Sequence, residues 1–157
     1  MIISLMAAKS DNNVIGNNEE IPWKAEGEQL LYKAMTYNHW ILVGRKTFEA
    51  MGKLPNRKYA VISASLKEQT SEDVCSFNSV DSALDYLWDK TDLVVVSGGG
   101  QIYAEMISKV DVIHLSVIHC QVEGNVFFPK IPDEFEIVFS QDFQSNIDYT
   151  YQIWTKA

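Results

Sequence analysis

The sequence predicts an α/β domain whose parallel sheet ends in antiparallel strands, and three observations carry that reading. Short, nearly continuous apolar runs rich in Val and Ile recur at residues 2–8, 40–43, 59–62, 93–96 and 112–118, which suits strands covered on both faces. Between them, residues 26–37, 47–51, 80–88 and 101–108 carry apolar side chains at helical spacing, and strand alternating with helix belongs to the α/β class. After Phe135 the pattern changes. Two aromatic-rich segments, Phe-x-Ile-Val-Phe and Tyr-x-Tyr-x-Ile-Trp, flank the polar stretch from Asp142 to Asp148, a hairpin signal.

Taken in order, the first run, Met1-Ile-Ile-Ser-Leu-Met-Ala-Ala8, is too short to span a bilayer and lacks a basic leader or an Ala-x-Ala site, so it reads as a first buried strand. The stretch from Ser10 to Glu20 is polar and longer than most connections, which suits either a lid hinged at Gly16 or a hairpin excursion without a role. The remaining runs follow without a repeat or a linker-like composition, so residues 1–157 are expected to form one domain. With 157 residues, 46% of them apolar, and only 4 Pro, a domain of this size buries roughly 68–70% of its unfolded surface and needs no metal or disulfide.

The balance of 13 Lys+Arg against 21 Asp+Glu leaves a net charge of −8, which opposes nucleic acid and anionic membranes. Cys75 and Cys120 show no Cys-x-x-Cys spacing and read as reduced thiols of a cytoplasmic protein. His39, His114 and His119 have no cysteine partner at zinc spacing, so no metal is expected. These histidines and Trp40, Trp88 and Trp154 read as packing residues. Neither a Ser-His-Asp order nor a nucleophile elbow can be assembled.

Three segments carry chemistry. Glu28 has Leu31, Tyr32 and Met35 at i+3, i+4 and i+7, so it shares the inward face of its helix. Such an acid is either a functional group or a helix-start residue favoured by the dipole, and Glu26 reads as the latter. In Gly44-Arg45-Lys46-Thr47 a strand runs through glycine into two cations at a helix start, which favours an anion or forms a plain solvated corner. The glycine that would open a Walker loop is absent, because His39 stands there. In Ser97-Gly98-Gly99-Gly100-Gln101-Ile102-Tyr103 the glycines permit close approach of a ligand or form a tight turn. Tyr103 stands where a Rossmann fingerprint needs a small residue, so any dinucleotide site has another design.

In combination these segments resemble dihydrofolate reductases of the chromosomal-type fold. The resemblance runs from Ile3 to Trp154 and rests on Val14-Ile15-Gly16, Ile21-Pro22-Trp23, Gly44-Arg45-Lys46-Thr47-Phe48, Leu54-Pro55-Asn56-Arg57-Lys58, the 97–103 segment and Val122-Glu123-Gly124, in that order. Glu26-Gly27-Glu28-Gln29-Leu30-Leu31 and Tyr151-Gln152-Ile153-Trp154 are similar to the mobile, trimethoprim-insensitive branch. The family implies a central mixed, mostly parallel eight-stranded sheet flanked by about four helices, with an antiparallel C-terminal hairpin. It also implies reduction of 7,8-dihydrofolate to tetrahydrofolate by hydride transfer from NADPH, supplying one-carbon and thymidylate metabolism.

By the same resemblance Glu28 is the single acidic active-site residue. It would bond the pterin amino group and N3 and assist protonation of N5 through a water that also approaches Trp23. Burial raises the pKa of such an acid, whereas bonds from the pterin lower it. Ser116 replaces the family's usual Thr as the hydroxyl tying the acid to the pterin. Met6 and Ala8 would line the pterin end, Tyr32, Met51 and Leu54 would flank the substrate, and Arg57 would clamp its α-carboxylate. Gln29 and Ser97 replace apolar residues of trimethoprim-sensitive members, and with Tyr103 complete that wall.

The cofactor would meet Ala8, Ile15 and Gly16 at the lid, and Gly44 with Arg45, Lys46 and Thr47 at its phosphates. Ser63, Ala64 and Ser65 would lie near its 2′-phosphate, and the choice of NADPH over NADH would rest mainly on Arg45, with Ser65 or Lys67 beside it. Gly98, Gly99, Gly100, Gln101, Ile102 and Tyr103 would hold the pyrophosphate and nicotinamide, with a cis peptide between Gly98 and Gly99. Ala64 and Gln101 depart from the common Ser and Arg, and Asn125 from a common Asp that supports a closed lid. Antifolates are expected as inhibitors and a monomer as the assembly state. The alternatives are a related reductase of riboflavin synthesis, which would lack Trp23, Glu28 and Arg57 together, and a catalytically silent nucleotide-binding domain.

Overall fold

A computed structural model describes residues 1–16, 27–64 and 73–157, and the structural statements below refer to them. Trp23, Glu26, Ser65, Lys67 and most of the expected lid lie outside these residues. The strands are Ile2–Ser10 (β1), Val14–Gly16 (β2), Trp40–Gly44 (β3), Lys58–Ile62 (β4), Val74–Phe77 (β5), Leu93–Val96 (β6), Val112–Ile118 (β7), Val126–Phe127 (β8), Phe135–Phe143 (β9) and Tyr149–Lys156 (β10). The helices are Glu28–Thr36 (α1), Arg45–Met51 (α2), Val80–Leu87 (α3) and Gly100–Met106 (α4).

Eight strands form one sheet in the order β5-β4-β3-β6-β1-β7-β10-β9. All neighbours from β5 to β7 are parallel, whereas β10 runs antiparallel to both β7 and β9. The apolar runs explain this arrangement. In β1, Leu5 stands level with Val96 on one side and Ile113 on the other, and all three are fully buried. Leu42, Val94, Met106 and Leu115 extend the same core, so helices and strands share one apolar layer. Ser79 caps α3 by accepting from the Ser82 N–H, which fixes that helix start.

Four features go beyond or against the sequence reading. Strand β5 is short, yet its alternation buries Cys75 and Phe77; four mixed residues give too brief a period-two signal to find alone. The polar stretch after β1 is not all loop, because Val14 and Gly16 pair with Phe127 and Val126. Gly16 is therefore a buried strand residue rather than a bare hinge. At the far edge, Ile137, Val138 and Phe139 of β9 are exposed, since an edge strand has a neighbour on one side only. Trp88 is also exposed, so the packing role read for it is not met, whereas Trp40 is buried in the core.

The topology also fixes where a site can lie. In an open parallel sheet, ligands bind beyond the carboxyl ends of strands where the order reverses. Here Ala8 near the end of β1, Gly44 and Ile62 at the ends of β3 and β4, and Ser97 just after β6 lie toward one end of the parallel strands.

Candidate active site

A cleft of about 1440 Å3 runs along that edge. One wall carries Met6 and Ala8 of β1, Glu28, Gln29 and Tyr32 of α1, Met51 of α2, and Leu54. The other carries Gly44, Arg45, Lys46 and Thr47, then Ser63 and Ala64 after β4, and residues 97–103 between β6 and α4. Ile15, Gly16 and Asn125 close one end.

Glu28 is the first residue of α1 and is only partly exposed. Its preceding residue, Gly27, has a φ of 90° and provides no side-chain cap. Leu31, Tyr32 and Met35 are part-buried on the same face, whereas Gln29, Leu30, Lys33 and Ala34 are exposed. The two readings of Glu28 therefore coincide: it is both a helix-start residue and an inward-facing acid. The dipole favours its charge, but burial pushes its carboxyl above the ordinary range.

Two phenols lie close by. The Tyr32 hydroxyl donates to Ser97 Oγ at 3.1 Å, joining α1 to the opposite wall. Burial, partly offset by the Ser97 bond, pushes its pKa up to about 12. The Tyr103 hydroxyl donates to the Met6 carbonyl at 2.7 Å, and burial first, then Tyr32 and Glu28, holds its pKa far above the usual phenol value. Both remain protonated at neutral pH, whereas Glu28 is a carboxyl of this cleft whose pKa burial shifts upward.

The glycine turn is held against β3. The Ser97 N–H donates to the Leu42 carbonyl at 2.9 Å and the Gly44 N–H to the Gly98 carbonyl at 2.8 Å. The Gly98–Gly99 peptide is cis. Gly98 has a φ of 101°, and a Cβ there would lie 3.1 Å from the Tyr103 ring; glycine alone adopts this backbone freely. A Cβ on Gly99 would sit 2.8 Å from Thr47 Oγ1. The bare backbone, the Thr47 hydroxyl and the cations of Arg45 and Lys46 form a donor set that fits an anionic dinucleotide backbone. Arg45 also pairs with Glu49 at 3.2 Å.

Two expected residues stand outside the cleft lining. Ser116 is buried on β7, level with Ala8 and Tyr151, so it shares the sheet face of Ala8 one strand further on. Arg57 lines a neighbouring cavity. Its Nε donates to Thr36 Oγ1 at 3.3 Å, its Nη1 to the Pro55 carbonyl at 2.7 Å and its Nη2 to the Lys33 carbonyl. These bonds use three of the five guanidinium N–H groups and fix its plane beside Lys33, which does line the cleft.

Sequence reasoning missed Val126 and Phe127, which join the cleft wall through β8, and the bond between Tyr32 and Ser97. The first was legible in Val122-Glu123-Gly124 just upstream; the second joins residues 65 positions apart and leaves no local signal. The histidines take other places. His114 stacks on Tyr151 with a 2.6 Å contact to its hydroxyl, and His119 bridges Asp11 and Thr150. Among the described residues no His, Cys, Asp or Glu cluster could hold a metal ion, and no helix is long and apolar enough to cross a membrane.

A family model described as dihydrofolate reductase matches residues 2–156. Dihydrofolate reductase type 15 of Escherichia coli is 60% identical and type 6 of Proteus mirabilis 61% identical, each over the full length of both chains. Among solved structures, dihydrofolate reductase from Enterococcus faecalis, complexed with NADP(H) and RAB-propyl, superposes with a TM-score of 0.89 at 28% identity, covering 99% of this chain and 96% of that one.

The burial of Glu28 has a consequence for stability. A carboxyl whose folded pKa is raised stabilises the protein most below its unfolded pKa and loses that contribution as pH rises through the folded value. Glu28→Gln should therefore raise the melting temperature of the ligand-free protein at neutral pH and leave it nearly unchanged near pH 4. An equal or lower melting temperature at neutral pH would show that the carboxylate is not held at a cost.

Proposed function

The chain belongs to the dihydrofolate reductase family, and from that premise we propose that it reduces 7,8-dihydrofolate to 5,6,7,8-tetrahydrofolate with NADPH, a cytoplasmic, monomeric enzyme feeding one-carbon and thymidylate metabolism. The observation that carries the reading is the placement of one part-buried carboxyl, Glu28, across the cleft from a glycine turn flanked by cations. A silent nucleotide-binding domain has no use for an acid held at that cost.

Gly44, Arg45, Lys46, Thr47 and the 98–100 turn would hold the cofactor, with Ser63 and Ala64 at its far end. When bound, its reduced nicotinamide supplies the hydride for the substrate's C6. The chain's own residues do the rest. Glu28 grips the pterin amino group and N3, and its raised pKa helps a proton reach N5. Met6, Ala8, Tyr32, Met51 and Leu54 exclude water from the rings. Ser116, one strand behind Ala8, acts as a supporting hydroxyl. Arg57 presents its remaining N–H groups to the glutamate α-carboxylate, already oriented by Thr36, Pro55 and Lys33. The direct assay is loss of NADPH absorbance on adding dihydrofolate; an inert, folded protein would refute the assignment.

Glu28→Gln should lower turnover at neutral pH by about 100-fold or more, the usual scale of acid–base assistance. Activity should recover partly in acid, where the substrate protonates itself, and full neutral activity would remove Glu28 from its role. Arg57→Lys loses the planar fork that reaches three acceptors at once, so KM for dihydrofolate should rise by roughly 10–100-fold while kcat changes little. An unchanged KM would count against the clamp.

Gln29 and Ser97 place polar groups in the walls of the ring pocket, and the Tyr32–Ser97 bond ties them across it. An apolar trimethoxyphenyl group would have to desolvate these groups without satisfying them. Weak trimethoprim inhibition with preserved dihydrofolate turnover is the expected result, and a nanomolar inhibition constant would dispose of it.

A further inference from the structure

Gly27 and Glu28 at the start of α1 meet Tyr149, the first residue of β10, and the cleft chemistry above makes no use of that meeting. Gly27 gives the helix no side-chain cap. Its carbonyl accepts the Leu31 N–H at 3.0 Å, which closes the first turn but does not fix where that turn sits. What stands against Gly27 is a phenol: a Cβ built there would lie 3.1 Å from the Tyr149 hydroxyl oxygen. With φ at 90° as well, the position suits glycine on two counts, backbone conformation and space.

Tyr149 is itself held in place. It is level with Ile118 of β7 on one side and Phe143 of β9 on the other, and its ring stacks on Phe143 with centroids 5.1 Å apart and planes 13° from parallel. Ile118 and Tyr149 are buried together, with Ala8, Cys120 and Ile147 packed around them. The chain just ahead of Tyr149 is pinned too, because the Asp148 carbonyl accepts the His119 N–H at 2.9 Å and the Asp148 carboxylate accepts the Ser145 N–H at 3.2 Å. A ring clamped between two strands gives α1 a fixed stop.

The phenol also senses the acid. Burial first, then the Glu28 charge, raises the Tyr149 pKa. The other titratable groups that sense Glu28 are Tyr32 of α1 and Tyr103 of α4, whose protons are committed to Ser97 and the Met6 carbonyl. Cys120 borders the Tyr149 ring from the segment after β7, and burial and Asp11 keep it protonated. We propose that Tyr149 is a positioning residue for Glu28: its hydroxyl, seated against the bare side of Gly27, fixes where α1 begins and turns an O–H dipole toward the carboxylate from outside the cleft lining. The inference deepens the reductase reading above by naming what holds its acid in place. A phenol proton directed at a carboxylate favours the charged form, so Tyr149 and burial act on Glu28 in opposite senses.

Tyr149→Phe tests this, since it keeps the stack on Phe143 and removes the oxygen alone. In the ligand-free variant the titration midpoint of Glu28, followed by NMR on isotope-labelled glutamate, should move up by about half a pH unit, roughly a threefold change in its ionisation constant. The pH at which turnover falls on the alkaline side should move the same way, with the melting temperature and KM for NADPH little changed; a merely structural role would leave both midpoints in place. Gly27→Ala should lower kcat about tenfold in the parent protein, where the new methyl meets the phenol oxygen, and less in the Tyr149→Phe background, because the backbone strain is common to both and cancels. An unmoved or lowered Glu28 midpoint in Tyr149→Phe would overturn the inference, as would an equal loss from Gly27→Ala in both backgrounds. Absence of dihydrofolate turnover in the parent protein, with a Glu28 midpoint that still moves, is a different result: it would refute the reductase reading and leave the hold of Tyr149 on Glu28 standing.

Discussion

Strand β1 sits between β6 and β7, and that double parallel pairing determines what can reach the cleft. Because Leu5 is level with Val96 and Ile113, β6 ends beside the middle of β1, and Met6 and Ala8 run on past it. Met6 and Ala8 arrive on one flank and Ser97 and Gly98 on the other. A one-residue slip of β1 would exchange its two faces, turning Met6 and Ala8 out of their places and removing the Met6 carbonyl from the Tyr103 hydroxyl. The β6–α4 turn is held from the other neighbour of β6, since Gly44 and Leu42 of β3 bind it by two backbone bonds. The sheet thus behaves as a jig on which two walls of different chemistry are mounted.

What the walls hold between them is a polarity problem. A part-buried carboxyl, two phenols and a serine hydroxyl meet in one pocket, and each phenol has found a partner: Ser97 for Tyr32, the Met6 carbonyl for Tyr103. Glu28 is the member that burial pushes upward with no bond from the described residues to offset it. Residual polarity of this kind is what a ligand can resolve. On the proposed reading, a pteridine edge with amino and ring N–H donors would offer that carboxyl such bonds, which would concentrate binding energy where the chemistry occurs.

Much of this was legible in the sequence because the signals were local. The runs at residues 40–43, 93–96 and 112–118 became β3, β6 and β7 within a residue, since short continuous runs rich in Val and Ile suit strands covered on both faces. The face shared by Glu28, Leu31, Tyr32 and Met35 emerged as drawn. The short elements were not legible: β5 offers two buried side chains, and β2 and β8 exist only because they pair with each other across more than a hundred residues. The positions of Ser116 and Arg57 likewise depend on register and on side-chain bonds that no spacing encodes. The aromatic hairpin pattern did give β9 and β10 as antiparallel partners, but it carries no sign of which strand lies at the sheet edge, and the middle of β9 is exposed.

Charge distribution completes the argument. A net charge of −8 repels an anionic cofactor and an anionic substrate at long range, yet at physiological ionic strength fields are screened beyond about 8 Å. Within that distance the composition is reversed at two places: Arg45 and Lys46 at the start of α2, and Arg57 with its neighbouring lysines at the mouths of β3 and β4. The acid excess is carried elsewhere, as in Glu134, Glu136 and Asp142 along the exposed β9 edge, where like charges also discourage another strand from pairing. Net charge therefore governs the long-range field, while local charge sets the potential at close range along the cleft.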